Sequence, residues 1–389
     1  MSHSNLPPGL QPFAMQLQDL AAKDQLRALR ARHGVDLTSN DYLGLAESEE
    51  LKNAAAAAIA RGVPVGAGGS RLLRGNHPEH EALEAEAAGY FGAEAALYFG
   101  AGYAANLAIF STLPQADDIV VYDDLVHASV HDGLRRGRAQ PARIPHNDID
   151  AVESRLSDWR RLGGRGRCWI AVESVYSMDG DSPNLHDLFA VADRHDATVI
   201  VDEAHASGVV GPQGRGLAAA FAGRHNVITL HTCGKALGTA GGLVLAPAII
   251  RDYLINRARA FIFATAPSPL IAAVTRAALE ISRTQPERRQ RLGQLVAFAD
   301  RRLRQRCGIS STGSHIVPVI LGTNQKAVAA SAVLQRRGFD VRAIRPPTVP
   351  EDTARLRIAL TAKLTESIIS ELVDALADHM LADQMAERA

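Results

Sequence analysis

Six short apolar runs punctuate the middle of the chain: Ala96–Phe99, Asp118–Tyr122, Cys168–Glu173, Thr198–Asp202, Val227–His231 and Leu243–Ala246. Their apolar residues are continuous rather than alternating, the mark of strands buried on both faces. Helical stretches such as Asn184–His195 intervene. The alternation predicts a mostly parallel sheet covered by helices on both faces, an α/β architecture. Before it, the spacing of Leu17, Leu20, Leu26 and Leu29 predicts a helix over 14–33. Turn chemistry follows at Thr38–Gly44, then an alanine-rich helix over Glu49–Arg61 and a further helix over His80–Phe91. Beyond Pro286 the rhythm changes. A charged helix runs to Arg306, followed by a strand over 315–321, a helix over 325–337, a strand over 355–361 and a helix over 366–381. That is the pattern of a smaller α+β domain. The expected organisation is an N-terminal helix and arm (1–45), a large domain (46–285) and a small C-terminal domain (286–389).

With 389 residues, 47% of them hydrophobic, the chain is long enough for one large and one small domain. Lys+Arg and Asp+Glu both number 42, so there is no electrostatic footprint for nucleic acid or an anionic membrane. Three scattered cysteines, Cys168, Cys233 and Cys307, suit neither a disulfide framework nor a zinc site, and no metal is expected. No run approaches the ~18 apolar residues of a membrane helix. The N-terminus lacks the basic-then-apolar pattern of a signal peptide. The default expectation is a cytoplasmic protein.

The chemistry gathers where the runs end. Asp202 closes one run, and Lys235 follows another across Thr232-Cys233-Gly234. Strand ends of an open α/β sheet share one crevice. A lysine and an aspartate meeting there suit pyridoxal phosphate, the lysine as Schiff base and the aspartate holding the pyridine nitrogen protonated. Each residue also has a plainer reading: a lysine after a strand is usually solvated, and an aspartate there is as often a helix N-cap. Gly100-Ala101-Gly102-Tyr103 opens a helix after a strand and offers backbone N–H groups to a phosphate, though it also reads as a structural turn. Gly66–Arg71 fits neither the dinucleotide nor the P-loop pattern. His127 is placed to stack on a pyridine ring or to be a polar loop histidine. Ser177 and His205, each following a strand end, offer hydrogen bonds to the cofactor's phenolic oxygen, and Thr232 offers a hydroxyl to its phosphate. Cys233 reads as a packing residue. Arg345, stiffened by Pro346 and Pro347, suits a carboxylate grip. Arg160, Arg161, Arg165 and Arg167 around Trp159 form either a solvated loop or a landing for an acidic acyl carrier protein.

Ser39-Asn40-Asp41-Tyr42-Leu43-Gly44, Gly68-Gly69-Ser70-Arg71, His127-Ala128-Ser129, Ser177-Met178-Asp179-Gly180-Asp181, Asp202-Glu203-Ala204-His205 and Thr232-Cys233-Gly234-Lys235 stand in the order and spacing of the α-oxoamine synthases. The chain resembles that family from about residue 15 to its end. Ile344–Pro350, Arg355-Leu356-Arg357 and His146-Asn147-Asp148 point to a member acting on L-alanine and a pimeloyl thioester. The resemblance implies a fold-type I pyridoxal-phosphate transferase, a homodimer with shared active sites. It assigns the Schiff base to Lys235, ring stacking to His127 and the pyridinium partner to Asp202. It puts Ser177 and His205 at the phenolic oxygen, and Gly102, Tyr103 and Thr232 at the phosphate, with Thr265 reaching in from the other subunit. Arg345, Thr348, Asn40, His127 and Arg27 fall at substrate. The reaction implied is a decarboxylative condensation, with the acyl donor on coenzyme A or on acyl carrier protein. Two alternatives stay open: a family member using glycine or serine, and a non-catalytic subunit on the same fold. Ala101, Leu364 and Ala266-Pro267-Ser268-Pro269 depart from the family's usual residues.

Overall fold

The computed structural model describes residues 6–388. Of the expected N-terminal arm, residues 1–5 lie outside the described residues, as does residue 389 of the C-terminal domain. The chain divides into two compact units. One takes the chain up to Ser39, Met178–Gly180 and everything from Gly293 onward; the other takes Asn40–Ser177 and Asp181–Leu292.

In the first unit, helix α1 covers Gln11–Ala22 and strand β1 covers Val35–Asp36. The helix expected over 14–33 therefore ends early. Asp24 adopts a left-handed backbone (φ 52°) and its carbonyl accepts a hydrogen bond from the Arg345 guanidinium. A helix cannot continue through such a residue. Leu26 and Leu29, expected on a helical face, are exposed.

The second unit holds the sheet. Helix α2 (Glu49–Ala60) is capped by the Ser48 hydroxyl, which accepts from the Leu51 N–H at 3.3 Å. Helix α3 (Pro78–Phe91) starts on a proline and ends at left-handed Gly92. Then follow β2 (Ala95–Phe99), α4 (Gly102–Thr112), β3 (Ile119–Asp123), α5 (Ala128–Arg136), β4 (Gln140–Ile144) and α6 (Ile149–Arg161). After them come β5 (Cys168–Glu173), α7 (Leu185–Arg194), β6 (Ala197–Asp202), β7 (Val227–Thr232) and β8 (Gly242–Ala246). Helices α8 (Ala248–Arg257), α9 (Arg259–Ile262), α10 (Pro269–Thr284) and α11 (Glu287–Cys307) complete the run, the last continuing into the first unit.

The sheet order is β2-β8-β7-β6-β5-β3-β4, and only β8 runs against its neighbours. Its side chains alternate between two apolar clusters, as the pleat demands. Val120 joins Phe99, Ile109 and Phe110 on one face; Ile119 and Val121 join Val152, Leu156 and Phe189 on the other. Each fully buried Leu or Phe contributes about 1.5–3 kcal/mol. Register pairs Glu173 with Asp202, so both carboxyls sit at the same end of the sheet.

The first unit is completed by β9 (Ile316–Gly322), α12 (Asn324–Arg336), β10 (Phe339–Asp340), β11 (Arg342–Ile344), β12 (Ala354–Ala359) and α13 (Glu366–Arg388). Its three-stranded sheet is antiparallel in the order β11-β12-β9, and β1 pairs with β10.

Candidate active site

Lys235 stands in a tight turn between β7 and β8. The Cys233 N–H donates to Gly241 O at 2.9 Å, and the Gly238 N–H donates to Lys235 O at 2.8 Å. Gly238 has φ 65°, and a Cβ there would come within 2.5 Å of Ala46 N, so only glycine fits. The turn places Lys235 Nζ 2.8 Å from His205 Nε2. His205 Nδ1 lies 2.6 Å from the Tyr42 hydroxyl, which also reaches Asn40 Oδ1 at 2.9 Å. The chain Lys235–His205–Tyr42–Asn40 thus joins three sequence-distant motifs.

Asp202 is buried, and its carboxylate accepts from Asn106 Nδ2 at 2.8 Å and the Ala204 N–H at 2.9 Å. Both donors are neutral N–H groups. Beside it, burial and the Asp202 charge push the Glu173 carboxyl well above the usual carboxylate range, while Lys235 and the backbone N–H groups of His127 and Ser177 work the other way. His127 caps α5, and its Nδ1 meets the Ser129 hydroxyl at 2.8 Å. The residue is exposed, yet desolvation of its ring by the neighbouring protein lowers its proton affinity. Asp202 opposes that shift, and Lys235 and His131 add to it.

Beside the lysine turn, Gly242 pairs with Phe99 on one side and Thr232 on the other. A Cβ on Gly242 would sit 2.8 Å from Gly102 Cα, and one on Gly102 would sit 3.4 Å from Thr232 Oγ1. The start of α4 and the Thr232 hydroxyl are therefore packed together, and no side chain caps that helix. The Tyr103 ring meets His127 edge-on at 6.3 Å, and its hydroxyl is bonded to Asp132. These parts fit pyridoxal phosphate: a buried carboxylate for a protonated ring nitrogen, a primary amine, and an uncapped helix start beside a hydroxyl for a phosphate. Ser177 lies in a loop closed by the Tyr176 N–H donating to Asp181 O at 2.9 Å. Thr265 lies exposed between α9 and α10.

Three substrate candidates gather in the first unit. Arg27 donates to the Thr348 hydroxyl at 3.2 Å, and Arg345 donates to Asp24 O. Burial lowers the Arg345 pKa, the Arg27 charge adds to this, and Asp24 opposes it. Of the arginines around Trp159, Arg160 stacks over the indole at 4.7 Å, Arg161 pairs with Asp158 at 3.0 Å, and Arg167 pairs with Asp118 at 3.0 Å.

Sequence reasoning singled out neither Tyr42, Asn106, Ser129 nor Glu173. All four lie within or beside the motifs quoted above, but their partners are remote in sequence. It quoted His146 and Asp181 in separate motifs but missed the cluster around His146. Its Nδ1 meets Asp123 Oδ1 at 2.8 Å and its Nε2 meets Asp181 Oδ2 at 2.7 Å. Burial opposes charge on this ring, but the two carboxylates outweigh it and raise the pKa to about 10.

A family model described as aminotransferase class I and II matches residues 32–376. The 8-amino-7-oxononanoate synthase of Anaeromyxobacter dehalogenans is 43% identical over 345 residues, covering 88% of this chain and 85% of that one. Among solved structures, a serine palmitoyltransferase from S. paucimobilis with a bound PLP–myriocin aldimine superposes with a TM-score of 0.87 at 27% identity, covering 97% of this chain and 99% of that one. The 8-amino-7-oxononanoate synthase of Francisella tularensis gives a TM-score of 0.75 at 28% identity, covering 90% and 99%.

Proposed function

Because the chain belongs to the class I and II aminotransferase family and, within it, to the α-oxoamine synthases, we propose that it is a pyridoxal-phosphate-dependent acyltransferase of biotin biosynthesis. It condenses L-alanine with a pimeloyl thioester and releases carbon dioxide, the free thiol carrier and 8-amino-7-oxononanoate. The observation that carries this reading is the meeting of the Lys235 amine, the buried Asp202 carboxylate and the uncapped start of α4 at one end of the sheet.

When bound, pyridoxal phosphate supplies the electron sink that makes an amino-acid Cα–H acidic. Lys235 Nζ would hold the cofactor's aldehyde carbon, and its amine would take the substrate Cα proton and return it. Asp202 keeps a proton on the pyridine nitrogen. His127 would stack on the cofactor ring and donate a proton to the acyl carbonyl oxygen. Ser177 and His205 would bond the cofactor's phenolic oxygen. The N–H groups of Gly102 and Tyr103 and the Thr232 hydroxyl hold the phosphate, together with Thr265 of a second copy in a homodimer. Arg345, Thr348, Asn40 and Arg27 grip the substrate carboxylates. Among the described residues no helix is long and apolar enough to cross a membrane, and the proposed location is the cytoplasm.

The likeness to serine palmitoyltransferase supports a second reading, with serine or glycine as the amino acid. The test is turnover of the purified enzyme with alanine, glycine and serine, each against pimeloyl-coenzyme A and pimeloyl-acyl carrier protein, with products identified by mass spectrometry. Alanine-dependent product with either donor supports the proposal. Product from serine or glycine alone establishes the second reading.

A further inference from the structure

The side chains behind His127 decide where its ring carries a proton. Asp202 is an acceptor only, so the Asn106 atom facing it at 2.8 Å is the amide nitrogen, and the amide cannot be turned the other way. The same nitrogen lies 3.0 Å from the Ser129 hydroxyl oxygen. That oxygen therefore accepts from Asn106, and its own proton points to His127 Nδ1 at 2.8 Å. The Ser129 backbone N–H also points to Nδ1, at 3.3 Å. Two donors face one ring nitrogen, which must be a bare acceptor. Asn106, Ser129 and Asp202 are buried at 2%, 0% and 6% exposure, so water does not compete for the bonds among them, while His127 itself is exposed.

We propose that Asn106 and Ser129 are positioning residues that hold His127 as a neutral ring with its N–H on Nε2. The order runs from the Asp202 carboxylate through the Asn106 amide and the Ser129 hydroxyl to His127. The charge that would anchor a pyridinium thereby also sets the histidine tautomer. In the proposed reaction the Nε2 proton is the one His127 gives to the acyl oxygen, so the network loads the proton donor before substrate arrives. The groups that bear on the ring's charge agree: burial and the positive charges of Lys235 and His131 disfavour a second proton, against Asp202. The catalytic part of this inference rests on the proposed function; the tautomer does not.

The test is ¹⁵N NMR of the histidine-labelled holoenzyme, with the His127 signals assigned by their loss in His127→Gln. A bare Nδ1 and a protonated Nε2 are expected at about pH 8, above the ordinary histidine pKa. Ser129→Ala removes the hydroxyl and keeps the backbone donor. The second tautomer should then appear, kcat should fall about tenfold and KM for L-alanine should stay within about twofold, as loss of proton transfer without loss of binding requires. Ser129→Thr should restore both signals and rate. A proton on Nδ1 in the unsubstituted enzyme overturns the inference, as does an unchanged kcat in Ser129→Ala. If no alanine-dependent product forms at all, the functional proposal fails and the NMR alone judges the tautomer.

Discussion

Glu173 and Asp202 face each other across the last rung of β5 and β6, and burial together with the Asp202 carboxylate pushes the Glu173 carboxyl well above the usual carboxylate range. A protonated Glu173 has a folded-state pKa above its unfolded value. Its contribution to stability is therefore complete below the unfolded pKa of 4.5 and declines as pH rises above it. Glu173→Gln mimics the protonated acid. Urea unfolding should show this variant as stable as the unsubstituted chain at about pH 4 and more stable by about 1 kcal/mol or more at about pH 8. Equal stability at both pH values would show Glu173 to be ionised.

Lys235→Ala should leave the fold intact and cut turnover by about a hundred- to ten-thousandfold, the range for a lost general base. The visible absorbance of the covalently held cofactor should vanish, while added pyridoxal phosphate still binds noncovalently. Normal turnover in this variant would remove the basis of the functional proposal.

His146 carries a proton between two carboxylates. Its folded pKa of about 10 lies above the unfolded 6.5, so its contribution is complete below pH 6.5 and is lost as pH rises through about 10. His146→Gln should cost about 2–4 kcal/mol at neutral pH, because Asp123 stays buried without its charged partner. The difference from the unsubstituted chain should shrink at strongly alkaline pH. A gap that stays constant across that window would contradict a protonated His146.

Arg345→Lys keeps the charge but loses the planar fork. KM for L-alanine should rise about tenfold, with a smaller change in kcat. Steady-state kinetics at saturating thioester decide this. A kcat effect that exceeds the KM effect would place Arg345 elsewhere in the reaction.

Most of the large sheet was legible in the sequence because its strands are continuous apolar runs between turn residues. Edge strand β4 was not: it carries Pro141 and Arg143, and only Ala142 and Ile144 are buried. Helix α1 was drawn too long because the leucine spacing continues past Asp24, whose backbone turns left-handed. The strand-end positions of Asp202 and Lys235 could be read directly. The contacts of Tyr42 with His205 and of Asn106 with Asp202 could not, since the fold alone brings them together and neither residue carries a local signal.

The place of β8 between β2 and β7 bears on assembly at the ribosome. Strand β2, which delivers the chain to Gly102, has β8 as its neighbour in the sheet, and β8 ends at Ala246. Until that residue has emerged, the nascent polypeptide cannot close this edge or fix the glycine turn against Thr232. A contact so distant in sequence forms late. Fragments stopped short of Gly242 should therefore be unable to retain the vitamin, however much of the remaining sheet they build.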